Sequence, residues 1–526
     1  MRIVLLALFF LGVGPAFGQA PEFDLIIQNG RIIDGTGSPW FRGDIGLRGD
    51  RIVAIGDLSK AATKNRIDAK GNIVAPGFID IHDHSRDAIF RLPAGENMLR
   101  QGVTTVLEGN DGSSPIPLQP FYDRLTKLPL GINFGLFAGH GSIRAAVMGT
   151  ENRHATEPEI EKMRGLIEQA MRDGAFGLST GLFYVPGNYG TTEEVIELAK
   201  VAGRYGGMHI SHMRDEAADI LKSVNETIRI GEEGHLPTQV SHHKIIGKPN
   251  WGASKDTLKA VEDARKRGVD VAIDQYPYTA SSTGLAALFP QWSQAGGAAA
   301  MKERLNAPDS RARIKAVIQE RILIDRGGGD PKNVELASCR FDPSLAGKNL
   351  AEVTAARGVP VTVENAAETA IELQLKGGCS AIFHAISEPD VERIMASPYT
   401  MIASDGGVIG PQDGVPHPRN YGTFARVLGR YVRERHAIGL EEAVRKMSAL
   451  PAQRLKMYDR GLLRPGMFAD IVVFDPDTVA DKADFGNPHQ MSVGFTNVIV
   501  NGKAVIVDGK LTAERSGRIL YGAGKK

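Results

Sequence analysis

Cysteine is nearly missing from this chain of 526 residues: only Cys339 and Cys379 occur. Their spacing matches no zinc motif, which excludes a cysteine-ligated metal fold, and nothing in the sequence brings the two together. They read as isolated thiols, although an exported protein could hold one disulfide. Net charge is missing too. The 62 Lys and Arg residues meet 61 Asp and Glu, a balance of +1, which removes any electrostatic case for nucleic acid or an anionic membrane surface. Beyond the N-terminal segment no stretch is apolar enough to span a membrane. Internal repeats and low-complexity tracts are absent as well.

What is present suits a large globular enzyme. Hydrophobic residues make up 42% and charged residues 23%, over a length that accommodates one large domain with attachments or two to three smaller ones. Glycine, at 61, serves many tight strand-to-helix turns. The N-terminus reads as a secretory signal: Arg2 supplies the charge, Ile3 to Val13 the apolar run, and Ala16-Phe17-Gly18 a small-x-small cleavage site. The run falls short of the roughly 20 residues a spanning helix needs. Export with cleavage near Gly18 is therefore expected, to the periplasm or the exterior.

Short alternating strands follow, over Phe23–Val74, and return near the other end in Ala469–Phe474 and Asn497–Val500. The two ends are expected to build one small β-sandwich. Between them, apolar strands alternate with helical stretches such as Glu157–Arg172 and Glu193–Tyr205. Eight candidate strands, Gly77–Ile81, Val103–Glu108, Ile132–Ala138, Gly174–Ser179, Gly207–Ser211, Thr238–Ser241, Val269–Asp274 and Thr400–Ser404, imply an α/β fold of the (β/α)8 TIM-like barrel type. The connection after Tyr278 is too long for a loop. It predicts an inserted subdomain at 285–358, with a helix over Ala300–Leu323. Ala381–His384 offers a further strand of uncertain place. The expected domains are thus a leader at 1–18, sandwich at 19–75, barrel at 76–284, insert at 285–358, barrel again at 359–460, and sandwich at 461–526.

The chemistry begins at Pro76-Gly77-Phe78-Ile79-Asp80-Ile81-His82-Asp83-His84. Residues two apart on a strand share a face, so His82 and His84 project together from the strand's C-terminal end, where barrels collect catalytic groups. They are read as the first metal-ligand pair. His212 and His242 each follow a short strand and are the next candidates, with His209 and His243 as competing choices. Asp405 ends the last strand, where a carboxylate can touch a metal and shuttle protons to and from a water made acidic by it.

With the motifs Pro-Gly-Phe-Ile-Asp-Ile-His-Asp-His and Ser404-Asp405-Gly406, the chain resembles the amidohydrolase superfamily. Ser241-His242-His243-Lys244, Asp274-Gln275-Tyr276-Pro277-Tyr278 and the run from His417 to Phe424 are similar, more narrowly, to the N-acyl-D-amino-acid deacylases (D-aminoacylases). Gly139–Arg144 and Gly177–Leu182 fit them too, so the resemblance covers nearly all of the chain beyond the leader. It implies a zinc site of one or two ions, other divalent metals being admissible. His212 and His242 would hold the tighter ion, and His82, His84 and Asp405 would frame the weaker one. Asp405 would act as general base and then acid. Lys244, Tyr276 and Arg419 would bind the substrate, cations on its α-carboxylate and the phenol near its scissile carbonyl.

One departure stands out. The family usually carries a ligating Cys after the second strand, in Asn-Cys-Gly, where this chain has Glu108-Gly109-Asn110-Asp111-Gly112. Either Glu108 or Asp111 is the expected acidic ligand, and oxygen in place of sulfur points to harder coordination. The implied function is metal-dependent hydrolysis of an N-acyl-D-amino acid to a carboxylate and a free D-amino acid. Two alternatives share the site, a dipeptidase for D-configured peptides and a cyclic-amide hydrolase. A third, of another class, is a non-catalytic periplasmic binding protein. The expected partner is a small-molecule substrate, with no nucleic acid and no integral membrane segment after leader cleavage; oligomeric state has no sequence signal.

Overall fold

The computed structural model describes residues 22–525; the leader expected at 1–18 lies outside the described residues. The fold is mixed α/β. Among the described residues no helix is long and apolar enough to cross a membrane.

Eight short parallel strands carry the site: β1 (Phe78–Asp80), β2 (Val103–Glu108), β3 (Asn133–Leu136), β4 (Gly177–Gly181), β5 (Met208–His212), β6 (Thr238–Val240), β7 (Val271–Gln275) and β8 (Thr400–Ile402). Each overlaps a segment expected from sequence. All are buried on both faces, which is why they read as apolar runs rather than alternating ones. They pair as β1-β2-β3 and as β4-β5-β6-β7-β8, with Ala138–Gly139 extending the second group beyond β4. The two groups touch at both edges. Phe176 N donates to Leu136 O at 2.9 Å, and Asp83 bridges Gly406 in parallel.

Helices cover these strands for local reasons. Glu157–Asp173 starts in a Thr156–Glu159 capping box, ends at Gly174 with φ 107°, and buries Met163, Ile167 and Met171. Thr192–Arg204 begins with Thr191 accepting from Glu194 N.

The two ends of the sequence share one nine-stranded sheet. Ile73–Pro76 runs parallel to Phe23–Ile32 on one side and antiparallel to Ile471–Phe474 on the other. It passes through Gly77 directly into β1. A Cβ at Gly77 would lie 2.3–2.9 Å from the Thr104 side chain, so only glycine allows this junction.

The inserted unit is larger than 285–358. Its antiparallel sheet takes Ser281–Gly284, Val334–Ser338 and Ser380–Phe383, and its core gathers Leu285, Phe289, Ile318, Leu336 and Phe383. Ala381–Phe383 therefore belongs here and not with the parallel strands. The helix expected over Ala300–Leu323 is two, Gly297–Asn306 and Pro308–Ile324, because Pro308 holds Ala307 in an extended conformation and starts a new helix. The reading of isolated thiols is also corrected: Cys339 and Cys379 form a disulfide. Ser338 pairs with Ser380 across the sheet, which sets the adjacent cysteines side by side.

The bridge spans a sequence separation of 40. Closing a loop of that length is expected to contribute about 2–4 kcal/mol. Reduction, or the C339S/C379S pair, should lower hydrogen-exchange protection across residues 285–383. Unaltered protection would mean that the bridge adds nothing to stability.

Candidate metal centre

The site forms where the C-terminal ends of the parallel strands converge. Asp80 ties the first strand to the last, its Oδ1 accepting from His82 N at 3.2 Å and Ser404 N at 2.9 Å. Beyond that tie, His84 N donates to Gly406 O and Asp405 N to His82 O, at 2.7 and 2.9 Å. Residues from β1 and from the loop after β8 are thus held in one fixed register.

Two groups of ligating atoms result: His82, His84, Asp111 and Asp405, and then Asp111, His212 and His242. Asp111 belongs to both. Its Oδ1 lies 3.3 Å from His82 Nε2, 3.4 Å from His242 Nε2 and 3.5 Å from His212 Nδ1; its Oδ2 lies 3.5 Å from His84 Nε2. Asp405 Oδ1 is 3.0 Å from His84 Nε2 and 3.6 Å from His82 Nε2. His242 Nε2 and His212 Nδ1 approach to 2.7 Å. Asp111, His242 and Asp405 all have positive φ, 54°, 33° and 48°, in the sparsely populated left-handed region. Three of the six candidate ligands are therefore aimed by backbone conformations that ordinary turns avoid.

The donor set fits a metal ion. Both ring nitrogens of the fully buried His82, together with Asp111 Oδ1 and His212 Nε2, have no hydrogen-bond partner. Buried polar atoms without partners are costly, and two of these, His82 Nε2 and Asp111 Oδ1, face each other at 3.3 Å within the ligand set. Imidazole and carboxylate donors suit zinc and the other divalent first-row ions. The electrostatics agree. Burial works against the His82 cation, yet Asp111, Asp274 and Asp405 outweigh it and raise the group well above its ordinary value. Burial also opposes the Asp111 charge, but His82, His212 and His242 hold it well below the usual carboxylate range. His212 departs from this pattern: burial, with the His242 imidazole beside it, lowers its value.

The other sequence candidates now separate. Glu108 is turned away: Arg86 Nε donates to its Oε1 at 3.2 Å, and it joins neither ligand group. The turn through Gly109 and Asp111 reverses the chain after β2, so Asp111 and not Glu108 reaches the centre. His209 bonds Thr180 and Thr238 on a core face, and burial lowers its value to about 3. His243 bonds Thr257 and is lowered to about 4 for the same reason. Neither competes with His212 or His242.

Lys244, Tyr276 and Arg419 do line the cavity, of about 530 Å³, that opens on the ligands. Arg419 Nη1 donates to Asp405 Oδ2 at 2.7 Å, and Nη2 to Ser282 O of the inserted unit at 3.2 Å. Burial raises the Tyr276 phenol well above its ordinary value, and its hydroxyl has no partner. Lys244 is less free than expected. Its ammonium pairs with Glu216 and lies 2.7 Å from His242 Nδ1.

Glu216 was missed in the sequence. It is buried, with Oε1 3.2 Å from His242 Nδ1 and Oε2 3.9 Å from His212 Nε2. A carboxylate at 3.2 Å behind a candidate ligand imidazole helps to orient it, and Glu216 stands so behind His242, whereas His212 lies beyond its hydrogen-bond reach. Its signal was the position four residues after His212, in Arg214-Asp215-Glu216, which alone resembles any solvated charge run.

Comparison with known proteins adds the following. Residues 66–506 match the family model described as Amidohydrolase family. The chain is 40% identical over 525 residues to a D-aminoacylase of Alcaligenes xylosoxydans xylosoxydans, covering 95% of this chain and 98% of that one. Its fold is similar to that of N-acyl-D-glutamate deacylase from Bordetella bronchiseptica, complexed with zinc and a phosphonate mimic of the tetrahedral intermediate. The TM-score is 0.82 at 36% identity, over 95% of this chain and 99% of that one. A D-aminoacylase structure described by a binuclear metal centre, with one-metal activation and second-metal attenuation, matches with TM-score 0.82 at 38% identity. That match covers 95% of this chain and all of the other.

Elemental analysis of purified variants checks the ligand assignment. D111A should lose bound zinc, whereas E108A should retain it; the reverse pattern would exchange their roles. Proton linkage gives a second check. Burial alone would lower the His84 value, but Asp111 and Asp405 reverse this and raise it to about 9. The imidazole must shed that proton to ligate, so calorimetric zinc affinity should climb from pH 7 toward 9 with protons released on binding. A flat profile would contradict the assignment.

Proposed function

We propose that this chain, which belongs to the amidohydrolase family, is a metal-dependent hydrolase that splits an N-acyl-D-amino acid into a carboxylate and a free D-amino acid. The observation that carries this reading is the joint ligand set, with Asp111 common to both groups, opening on a cavity lined by Arg419, Lys244 and Tyr276. Similarity to a D-aminoacylase over nearly the full length of both chains supplies the substrate class.

His212, His242 and Asp111 would hold one zinc ion, and His82, His84, Asp405 and Asp111 a second. Bound there, zinc polarises the amide carbonyl and acidifies the attacking water. The remaining steps belong to the protein. Against the effect of burial, Arg419 keeps Asp405 ionised, so the carboxylate is ready to accept the proton of the water. It then returns that proton to the departing amine nitrogen. Tyr276, held protonated, donates its free hydroxyl to the carbonyl oxygen as charge builds there. Arg419 has a double duty. A substrate α-carboxylate that takes its fork competes with Asp405, loosening the pair and leaving Asp405 a stronger base once substrate is in place.

Two further readings accompany this one. The eight parallel strands close into a (β/α)8 barrel, supported by the edge contacts at Leu136 and Gly406 and by the ligands gathered at the strand ends. The nine-stranded sheet folds on itself as the β-sandwich. The protein is exported to the periplasm or beyond, supported by the leader-like residues up to Gly18 and by the Cys339–Cys379 bridge, which suits an oxidising compartment.

Zinc-loaded protein should release D-amino acids from N-acetyl-D substrates and leave the L series intact. Preference for L substrates, or for D,D-dipeptides over N-acetyl compounds, would sink this reading. D405N should lose about 10²–10⁴-fold in kcat while keeping the zinc ion at Asp111, His212 and His242.

A further inference from the structure

Arg326 differs from the other cations that line the cavity. It follows the helix Pro308–Ile324 of the inserted unit and is only 5% exposed. Lys244 is answered by Glu216, and Arg419 by Asp405. The Arg326 guanidinium makes no hydrogen bond among the described residues. Glu216 Oε2 stands at 4.0 Å, at the limit of an ion pair and beyond hydrogen-bond reach, and the neighbouring Asp325 also feels the Arg326 charge. The other oxygen of Glu216 already holds Lys244.

The side chain is nonetheless held in place. Its guanidinium carbon lies 4.3 Å from the Phe183 ring centre and 5.9 Å from that of Phe383. Aromatic faces support a cation but accept no ordinary hydrogen bond. Close backbone packing fixes the segment on both sides. A Cβ on Gly327 would lie 2.3 Å from Ile322 O, and one on Gly247 would lie 2.4 Å from Ile324 O. The loop that leaves Lys244 therefore packs directly on the residues that deliver Arg326.

A planar fork of five donors, buried, supported and without a hydrogen-bond partner among the described residues, lacks a planar acceptor. The geometry points to Arg326 as the receptor for a second carboxylate of the substrate, the side-chain carboxylate of an acidic N-acyl-D-amino acid. Such substrates become the preferred class. The inference rests on the deacylase reading above. Arg419 touches Asp405 and suits a carboxylate next to the scissile amide. Arg326 forms no ion pair with Asp405 among the described residues and suits one further away.

The test compares N-acetyl-D-glutamate, the near-isosteric N-acetyl-D-glutamine and N-acetyl-D-leucine on zinc-loaded full-length wild type, R326K and R326M. Wild type should favour D-glutamate over D-glutamine by roughly 100-fold in kcat/KM. R326M should erase that preference, mainly through KM, with D-leucine turnover within roughly threefold of wild type. R326K should keep part of it, and this variant decides the matter if R326M does not fold. Zinc content and melting temperature report an intact protein. No D-glutamate preference in wild type, or equal loss on all three substrates in R326M, overturns the assignment of Arg326 and leaves the deacylase reading standing. No turnover of any N-acetyl-D-amino acid overturns both.

Discussion

The carboxylate of Asp111 is the constraint on which the centre depends. Four imidazoles meet here, those of His82, His212 and His242 buried, and two of their nitrogens come within 2.7 Å. Such a cluster is stable only around negative charge. Asp111 reaches all four histidines with its two oxygens, and its own position requires a left-handed residue between two glycines that also have positive φ. A single backbone turn after β2 thus decides whether the ends of β1, β5 and the loop after β6 act as one site.

Around that point the charges are arranged in shells. Asp405 and Asp111 face the ligating nitrogens, while Glu216 sits behind His212 and His242 and takes the Lys244 ammonium. Arg419 joins the shell to the inserted unit through Ser282 O. Ser281, Ser282, Thr283 and Arg326 make this unit part of the cavity wall, and its own core and disulfide hold it together.

The strands and most of the candidate ligands that the fold brings together were legible in the sequence for one reason. A buried parallel strand is a short apolar run that ends abruptly, and the polar residue at its end is the one displayed. His82, His212, His242 and Asp405 all stand at such ends. An insert was expected at 285–358, but its extent was not legible, because its sheet pairs Ser281–Gly284 with Ser380–Phe383 across a long stretch of sequence, and no local pattern encodes that partner. The cysteine bridge follows from the same pairing and was invisible with it. The choice between Glu108 and Asp111 turned on backbone conformation and on Arg86, neither of which spacing reveals. Glu216 lacked a strand end to mark it and so looked like surface charge.

The nine-stranded sheet has a further implication for how the molecule comes into being. Ala75 is paired with Val472, so the strand leading into β1 lacks one of its neighbours until nearly the whole polypeptide has been made. Contacts so distant in sequence form slowly, because the loop between them must close first. A nascent chain would expose the edge of Ile73–Pro76 throughout synthesis and would complete the sheet as a late event. An edge left open so long is the kind of surface on which nascent chains can pair wrongly.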